Sequence, residues 1–477
     1  MSDYTRGSVR DYGHDYGRDY MRRPLSLRSN MPVAPMPQSE AQALIERVVK
    51  MSKADSISMQ IDDGTTTNLR FADNRVSTAG QVQDSGVVVI SSFGPKHAAV
   101  QTNDLSDEGL RRAVAQSEAL ARLAPDDPEA MPPLGPQQYR SSEAYFTSTA
   151  EASADERARA AMTALEPSRA AGDLKAAGYL EIRARATAIG NSKGMFGYHP
   201  FTTANYTLTV RTTDGTGSGW AGAEVNDWSG LDFAALGKRA ADKARASRSP
   251  VAVEPGRYTV VMEPQAVGDL VQLIGYYAGA READEGRSPF VKAGGGNKIG
   301  MKIIDSRVSI ISDPFDPDLR GQPFDGDGLP LGRQVWVEDG VLKHLYYSRF
   351  WAKKQNAVAT GAPSTFKMTG GTTPLEDMIK STARGVLVTR LWYLREVDPR
   401  TILYTGLTRD GTFLIENGKV THAIKNFRFN DSPLFLLNNV DALGVPVRIG
   451  GTEAGGPIVV PAVKAKDFDF TSLSDAV

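Results

Sequence analysis

The chain has 477 residues, which is too long for one ordinary core and predicts two or three domains. Its 55 basic and 56 acidic side chains leave a formal charge of -1, so we do not expect direct nucleic-acid binding. The absence of cysteine excludes disulfides, thiolate metal ligands and a cysteine nucleophile. No apolar run approaches the roughly 20 residues of a membrane-spanning helix, so the sequence predicts a soluble cytoplasmic protein.

Residues 1–38 repeat Asp-Tyr and Gly and offer no apolar face to bury. We predict a disordered tail, with folding on a partner as the alternative. Residues 39–124 predict an N-terminal α+β module that starts with a helix capped by Ser39 and ends with a second amphipathic helix. Between them, DSISMQIDDG, TTNLRFADN, RVSTAGQVQDSG and VVVISSF predict an antiparallel meander of four strands. Residues 125–140 are Pro-rich and predict a linker.

Residues 141–250 repeat this order of helix, strands and helix and predict a central α+β module. In both modules an Asn-Asp-x-Ser sequence joins a strand to the closing helix, which favours related modules, although such residues are also ordinary helix caps. Residues 251–477 predict a β-rich C-terminal domain with tight hairpins at VEDGVL and IENGKV. The predicted fold class is therefore mixed α/β (α+β), with helix and antiparallel-sheet modules before a β-rich domain.

Three sets of residues could indicate a catalytic or metal-binding site, but each lacks a feature that such a site requires. Ser364 and Lys367 form S-x-x-K, the nucleophile signature of penicillin-recognising enzymes, but S-D-N and K-T-G are absent. The Asp-rich segment SDPFDPDLRGQPFDGDG lacks the calcium-hand spacing, so we favour a structural or cleft-edge loop that includes Asp325 and Asp327. The five histidines lack the spacing that would place two of them on one metal from a single helix.

The segment RYTVVMEPQAVGDLVQLIGYY predicts a strand that ends at Glu263 and a helix that starts at Pro264. Proline suits the first helical position because its φ is already helical and its missing N–H needs no partner there. We expect this helix to lie against the C-terminal sheet. A strand that leads into a helix is a common place for catalytic groups, but this helix start offers only Gln265 and Asp269.

Several segments carry a resemblance through their order along the chain: TNDLSDEGLRRAV, RQVWVEDGVLKHLYYSR, STFKMTGGTTPLEDMIKSTARGVLV and GTFLIENGKV. In this order they resemble the TldD/PmbA (TldE) metallopeptidase family, in which two related subunits form a heteromeric peptidase. The resemblance covers nearly everything after residue 40. It implies that the helix starting at Pro264 corresponds to the helix that carries H-E-x-x-x-H in the active TldD subunit.

In that motif two histidines bind Zn²⁺ and the glutamate activates the metal-bound water. The resemblance places Pro264, Gln265 and Asp269 at these three positions, which we call the degenerate helix positions. Proline has no ligand atom, glutamine cannot act as a base near neutral pH, and one aspartate is too few ligands for zinc. The family's third ligand, a cysteine near the carboxyl end, is also absent.

The resemblance therefore implies a PmbA/TldE-like subunit with no catalytic residue, no metal ligand and no cofactor, and zinc is expected only in a TldD-like partner. It also implies binding of extended peptides, with Glu263, Asp325 and Asp327 as candidate cleft contacts. Two alternatives remain. One is a stand-alone, metal-independent hydrolase that uses carboxylates such as Glu263, Asp269 or Asp325. The other is a non-proteolytic binding or scaffold protein, for which the tail is the suggestive feature.

Overall fold

A computed structural model describes residues 34–362, 365–451, 453 and 456–474 of the protein. Most of the predicted disordered tail, residues 1–33, lies outside the described residues. The helices are α1 (Gln38–Met51), α2 (Asp107–Leu123), α3 (Thr147–Ala150), α4 (Ala154–Ala171), α5 (Phe233–Ala246), α6 (Pro264–Val271), α7 (Leu273–Tyr276), α8 (Ala280–Asp284), α9 (Arg349–Gln355), α10 (Leu375–Lys380) and α11 (Pro433–Asn438).

The strands belong to three sheets. Those in the first half of the chain are β1 (Ser56–Ala72), β2 (Arg75–Phe93), β3 (Lys96–Thr102), β4 (Leu174–Asn191), β5 (Phe196–Thr212) and β6 (Ser218–Val225). Those in the second half are β7 (Gly256–Met262), β8 (Ile310–Ser312), β9 (Gln334–Glu338), β10 (Val341–Leu342), β11 (Lys367–Met368), β12 (Arg384–Val388), β13 (Leu391–Asp398), β14 (Leu403–Thr408), β15 (Thr412–Glu416), β16 (Lys419–Ala423), β17 (Asn426–Asp431), β18 (Val440–Leu443), β19 (Val447–Ile449), β20 (Ile458–Val460) and β21 (Val463–Ser474). The predicted mixed α/β fold with a β-rich C-terminal region is confirmed.

The first sheet is shared by the two predicted α+β modules. Within the described residues its strand order is β3-β2-β1-β4-β5-β6, and every pairing is antiparallel. The junction is the β1–β4 pair, which runs from Ser58 opposite Asn191 to Phe71 opposite Gly178. Helices α1 and α2 share one core with β1 and β2, while α4 and α5 share another with β4 to β6. The module boundaries themselves stay a prediction.

The predicted four-stranded meander of the N-terminal module is wrong in its number of strands. Gly64 and Gly86 were expected to end strands, but β1 and β2 run through them without a break. At Gly64 the φ angle is +149°, and a β-carbon there would collide with the Ala184 carbonyl oxygen of β4. Glycine is needed at this position because a neighbouring backbone comes close, and not because the chain turns.

We expect Gly64→Ala to lower the free energy of unfolding by about 1–3 kcal/mol, because the added methyl group must displace strand backbone. Gly86→Ala is the matched control in the neighbouring strand, where the nearest atom to an added β-carbon is the Gln101 side-chain nitrogen at 3.9 Å. Denaturant unfolding of both variants measures the difference. An equal effect of the two substitutions would contradict the close-packing explanation.

Helix capping by a side chain is correctly anticipated at Ser106 and wrongly predicted at Ser39, while the cap of α4 is found only in the structure. Ser153 caps α4 in a reciprocal capping box with Glu156, and Ser106 caps α2 by accepting the Gly109 N–H. The predicted cap at Ser39 is wrong, since α1 begins one residue earlier and its cap position is Pro37. The Pro37 carbonyl accepts the N–H groups at positions 40 and 41, so the backbone closes the first turn without a side chain.

The second half of the chain forms two sheets with α6 between them. One has the order β13-β14-β17-β21-β7-β12-β15-β16, with β18 paired to β21, and the other has the order β10-β9-β8-β11-β20-β19. Helix α6 contacts β7 and β13 of the first and β19 and β20 of the second, which confirms that it lies against the sheet. Both predicted hairpins are present, at Asp339-Gly340 and Asn417-Gly418, with the positive φ that tight turns require.

One predicted strand of this region is much shorter than expected. The segment KIIDSRVSIISD was expected to be a strand, but only Ile310–Ser312 pairs as β8. Asp305 accepts the Arg307 N–H and makes a local turn that interrupts the extended backbone. In the described part of the chain, none of the helices has the length and apolar character needed to cross a membrane.

Candidate functional site

The predicted strand-to-helix joint lies at the centre of the C-terminal core. Strand β7 lies between β21 and the parallel strand β12, and Glu263 is the cap residue before α6. Every residue from Gln265 to Val271 is buried. An added β-carbon at Gly268 would press on Ile449 and Ile458, so glycine lets β19 and β20 approach the helix closely. The joint therefore presents its polar groups to protein rather than to open solvent.

Asp269 is fully buried, and both of its carboxylate oxygens accept backbone hydrogen bonds. Oδ1 accepts the N–H of Glu453 at 2.9 Å, and Oδ2 accepts the N–H of Leu391 at 3.3 Å. Burial raises the pKa of Asp269 to about 7, against the opposing effect of these N–H groups and of the positive charge of Arg390. Asp269 thus ties α6 to β13 and to the backbone of Glu453.

The other two degenerate helix positions offer little chemistry. Pro264 forms the first turn of α6 and has no side-chain donor atom. Gln265 is 7% exposed, and its side-chain Nε2 is buried without a hydrogen-bond partner. Glutamine has no ionisable group, so this side chain cannot take up a proton from water near neutral pH.

Glu263 precedes these positions and is held by a lysine from the central module. Its carboxylate lies 2.6 Å from Nζ of Lys243, and the two side chains are only 18% and 15% exposed. Glu263 also uses its backbone N–H to bond the Val388 carbonyl of β12. The pair joins α5 to the start of α6, which indicates a structural contact between the two halves of the chain.

Asp325 and Asp327 lie in a separate loop rather than at the start of α6. Asp325 accepts the N–H groups of Asp327 at 3.0 Å and Leu329 at 2.8 Å, and burial raises its pKa. This loop is anchored to the first half of the chain, because Gln60 and Tyr139 donate to the carbonyls of residues 326 and 328. Among the described residues, the hydrogen-bond partners of the Asp325 carboxylate lie within its own loop, so the structural interpretation of the loop is favoured.

The structure describes only one of the two defining residues of the S-x-x-K pattern. Ser364 lies outside the described residues. Lys367 donates to the carboxylates of Asp316 and Asp318, each at 2.8 Å, and therefore organises the Asp-rich loop. Two of the acids that could have served as oxygen ligands are thus engaged by a cation of the chain itself.

A cluster that sequence reasoning missed lies directly beside Asp269. Arg390 immediately precedes Leu391 and lies between two indole rings, 4.5 Å from the ring centre of Trp220 and 5.0 Å from that of Trp392. The Arg409 guanidinium also contacts Trp392 and lies 4.8 Å from the centre of its ring. The sequence signals were TRLW and TRDG, in which an arginine follows a buried strand, but each is too short to indicate a site by itself.

Comparison with known proteins matches most of the chain. Three consecutive segments match domain 1 (residues 61–121), the central domain (residues 146–248) and the C-terminal domain (residues 255–472) of PmbA/TldA metallopeptidases. The chain belongs to the PmbA/TldD metallopeptidase family. Metalloprotease PmbA of Escherichia coli O157:H7 is 21% identical over 439 residues, which cover 87% of this chain and 91% of that protein.

The chain also resembles a further relative and a solved structure. A metalloprotease of Methanothermobacter thermautotrophicus is 27% identical over 241 residues, so the match spans 46% of this chain and 50% of that relative's length. The crystal structure of TldE from Thermococcus kodakarensis has a TM-score of 0.78 at 18% identity, and the match covers 90% of this chain and 99% of that one. The likeness to TldE shows the fold.

The side chains at the degenerate helix positions do not fit the zinc ion that the PmbA/TldD family name implies. Structural and catalytic zinc sites use three or four nitrogen, sulfur or carboxylate ligands that can reach the ion. Here Pro264 has no donor, Gln265 offers an amide, and Asp269 uses both oxygens for backbone N–H groups. In the part of the chain that the structure describes, no group of three or more His, Asp or Glu side chains is arranged to hold a metal.

We expect Asp269 to make stability depend on pH. Its pKa of about 7 in the folded protein exceeds its ordinary value of 3.8, so between these values the folded protein keeps a proton that the unfolded chain has released. The free energy of unfolding should therefore fall as the pH rises through this window, by at most about 4 kcal/mol, and stay level above it.

Asp269→Asn should lack this fall because an amide does not titrate. Denaturant unfolding of the wild type and of Asp269→Asn at about pH 5 and about pH 8 measures the difference between the two proteins. Other buried acids such as Asp431, whose pKa burial raises to about 6, titrate in both proteins and cancel. The same pH dependence in both proteins would contradict the raised pKa of Asp269.

Proposed function

We propose that this chain is a non-catalytic, PmbA/TldE-like subunit of a TldD/TldE-type metallopeptidase complex in the cytoplasm. In this role it docks onto a TldD-like subunit that carries H-E-x-x-x-H and zinc, and it helps to bind and enclose extended peptides. The observation that carries the proposal is the environment of Asp269. The resemblance of this chain to the family puts a metal ligand at this position, but Asp269 is fully buried and bonded to two backbone N–H groups.

The contacts of Asp269 support a structural role for the helix. A metal ligand must present a lone pair to an ion that substrate or water can also reach. The Asp269 carboxylate instead binds the backbone N–H groups of Leu391 in β13 and of Glu453. A helix that keeps its packing while its ligand and base positions are replaced is what we expect of a pseudoenzyme subunit.

Peptide binding is supported by an exposed strand edge next to this helix. Strand β13 lies at the end of its sheet, and its side chains at Tyr393 and Val397 are 46% and 53% exposed. An extended peptide can pair with such an edge through main-chain hydrogen bonds, which gives affinity with little dependence on peptide sequence.

Co-expression with a paralogue that carries H-E-x-x-x-H tests the subunit assignment. The account predicts that the two chains elute together in size-exclusion chromatography at a mass above that of either chain alone. The same experiment with residues 1–38 deleted tests the scaffold alternative, which requires the tail for partner capture. Separate elution of the two full-length chains would reject the proposed assembly.

The metal-independent hydrolase is less well supported by the contacts of its proposed acids. Glu263 is engaged with Lys243, Asp269 has no exposed surface, and the oxygen that Asp325 uses for hydrogen bonds binds backbone N–H groups of its own loop. Asp269 therefore lacks the access to water that a general base needs, while Glu263 and Asp325 are only partly exposed and already engaged by other groups of the chain. Turnover by the purified chain that persists in chelator and is lost in Asp269→Ala would favour this alternative.

A further inference from the structure

A cavity of about 700 Å³ lies between the first sheet and the C-terminal region. One wall comes from β4, β5 and β6, and the other comes from the turn between β12 and β13, the turn between β14 and β15, and Gly451. We call it the arginine-tryptophan cavity, after Trp220, Arg390, Trp392 and Arg409. It is close to the degenerate helix positions, because Arg390 precedes the residue whose N–H binds Asp269.

The lining is more basic than the chain as a whole. It contains four basic side chains against two acidic ones, an excess of two positive charges, whereas the whole chain has a formal charge of -1. The basic residues are Lys175 and Arg211 on the first sheet and Arg390 and Arg409 on the C-terminal side. Low-dielectric walls strengthen the potential that such a set of charges produces, so the cavity favours an anionic ligand.

The arginines on the C-terminal side are held in fixed orientations. Their guanidinium groups and the indole rings alternate in the order Trp220, Arg390, Trp392, Arg409. A guanidinium that stacks on an aromatic face keeps its N–H donors in its own plane, where they can meet the two oxygens of a carboxylate. The stack therefore prepares a planar anion site before any ligand arrives.

Arg390 is held by an ion pair with Asp410 and still has one N–H group without a hydrogen-bond partner. Its Nη1 binds Asp410 Oδ2 at 3.0 Å, and Asp410 Oδ1 accepts the Ser218 hydroxyl at 2.6 Å. The Arg390 side chain is 10% exposed, yet its Nε is buried without a hydrogen-bond partner. A buried N–H group without a partner costs free energy that an acceptor supplied by a ligand would recover.

We propose that the arginine-tryptophan cavity binds a carboxylate of a peptide, with the indole rings packing against the neighbouring apolar atoms. The carboxylate can come from the carboxyl terminus or from an acidic side chain. This inference rests on the proposed peptide-binding function and names the chemical group that the chain recognises. A carboxylate is favoured over nucleic acid because the basic residues gather at one cavity rather than along a continuous surface track, and the chain as a whole has no excess of positive charge.

Fluorescence anisotropy with the full-length chain and labelled peptides tests the proposal. Three peptides share one apolar sequence: one has a free carboxyl terminus, one is amidated, and one is amidated but contains a single glutamate. The free carboxylate should bind about tenfold or more tightly than the amide without glutamate, and the preference should weaken at high salt. Binding of the glutamate peptide shows whether a side-chain carboxylate can occupy the cavity in place of the terminal one.

Two variants connect the preference to this cavity. Arg409→Gln and Arg211→Gln should each remove most of the preference for the free carboxylate, while Arg111→Gln, an exposed position on α2, should keep it. Ligand-induced change in tryptophan fluorescence should be smaller in Trp392→Phe, in which Trp220 is the remaining indole of the cavity, and this signal reports binding independently of the label. Thermal unfolding identifies any variant that is not folded.

Equal binding of the free and amidated peptides, or a preference that survives Arg409→Gln, would overturn the carboxylate site. Equal binding would still leave the chain able to hold peptides, so the proposed function would stand. Absence of binding by all three peptides would overturn the carboxylate site as well. In that case co-elution with the H-E-x-x-x-H paralogue decides the subunit assignment separately.

Discussion

Replacing Arg390 with methionine should lower the free energy of unfolding by up to about 3–5 kcal/mol, because the buried carboxylate of Asp410 loses its hydrogen-bonded cation and keeps only Arg409, whose Nε lies 3.9 Å away. Arg390 and Asp410 are joined at 3.0 Å, and their side chains are 10% and 1% exposed. Methionine keeps apolar contact with Trp220 and Trp392, so most of the loss should come from the stranded charge. A buried charge of this kind costs far more than a surface ion pair contributes.

Denaturant unfolding of a double-mutant cycle separates the two contributions. The double variant Arg390→Met with Asp410→Asn should be more stable than the sum of the single effects predicts, since the stranded charge is gone. Lys238→Met is the control, because it removes an exposed pair with Asp242 and should cost less than about 1 kcal/mol. If Arg390→Met is as stable as this control, the ion pair does not organise the cavity wall.

The second large effect concerns peptide cleavage. We expect the complex of this chain with its H-E-x-x-x-H paralogue to cleave unstructured peptides, while this chain alone should have no activity. The physical reason is that activation of water requires a metal or an accessible base, and Gln265 and the buried Asp269 provide neither. Mutation of the partner's motif glutamate should abolish cleavage without affecting assembly.

Gln265→Ala in this chain is the matched control for cleavage. It alters a degenerate helix position, so the account predicts that the complex keeps its turnover. Loss of turnover in the folded complex with Gln265→Ala would mean that this chain contributes directly to the reaction. Cleavage by this chain alone would contradict its assignment as the non-catalytic subunit.

Local signals in the sequence predicted the parts of the fold that depend on neighbouring residues. The helix cap in Asn-Asp-Leu-Ser, at Ser106, and the hairpin at Asn417-Gly418 are examples, because each is determined within a few residues. The glycine at position 64 misled because glycine marks both turns and close backbone approach. Only the long-range pairing of β1 with β4 distinguishes the two meanings, and no local pattern contains that pairing.

In the candidate site, too, the local features could be predicted from the sequence and the long-range contacts could not. Family resemblance indicated which residues occupy the degenerate helix positions, and proline suited the start of α6. The burial of Asp269 and its bonds to Leu391 and Glu453 could not be predicted, since the donors lie more than a hundred residues away in sequence. The arginine-tryptophan cavity was missed for this reason too, because Trp220, Arg390 and Arg409 meet only in the folded chain.

The zinc content of this chain, purified on its own and again after separation from the reconstituted complex, distinguishes a non-catalytic subunit from a metal-binding one. Zinc should remain with the H-E-x-x-x-H subunit, and this chain should contain no stoichiometric zinc in either preparation. Stoichiometric zinc in this chain that is lost in Asp269→Ala would show that the helix starting at Pro264 still forms a metal site, and would contradict the account.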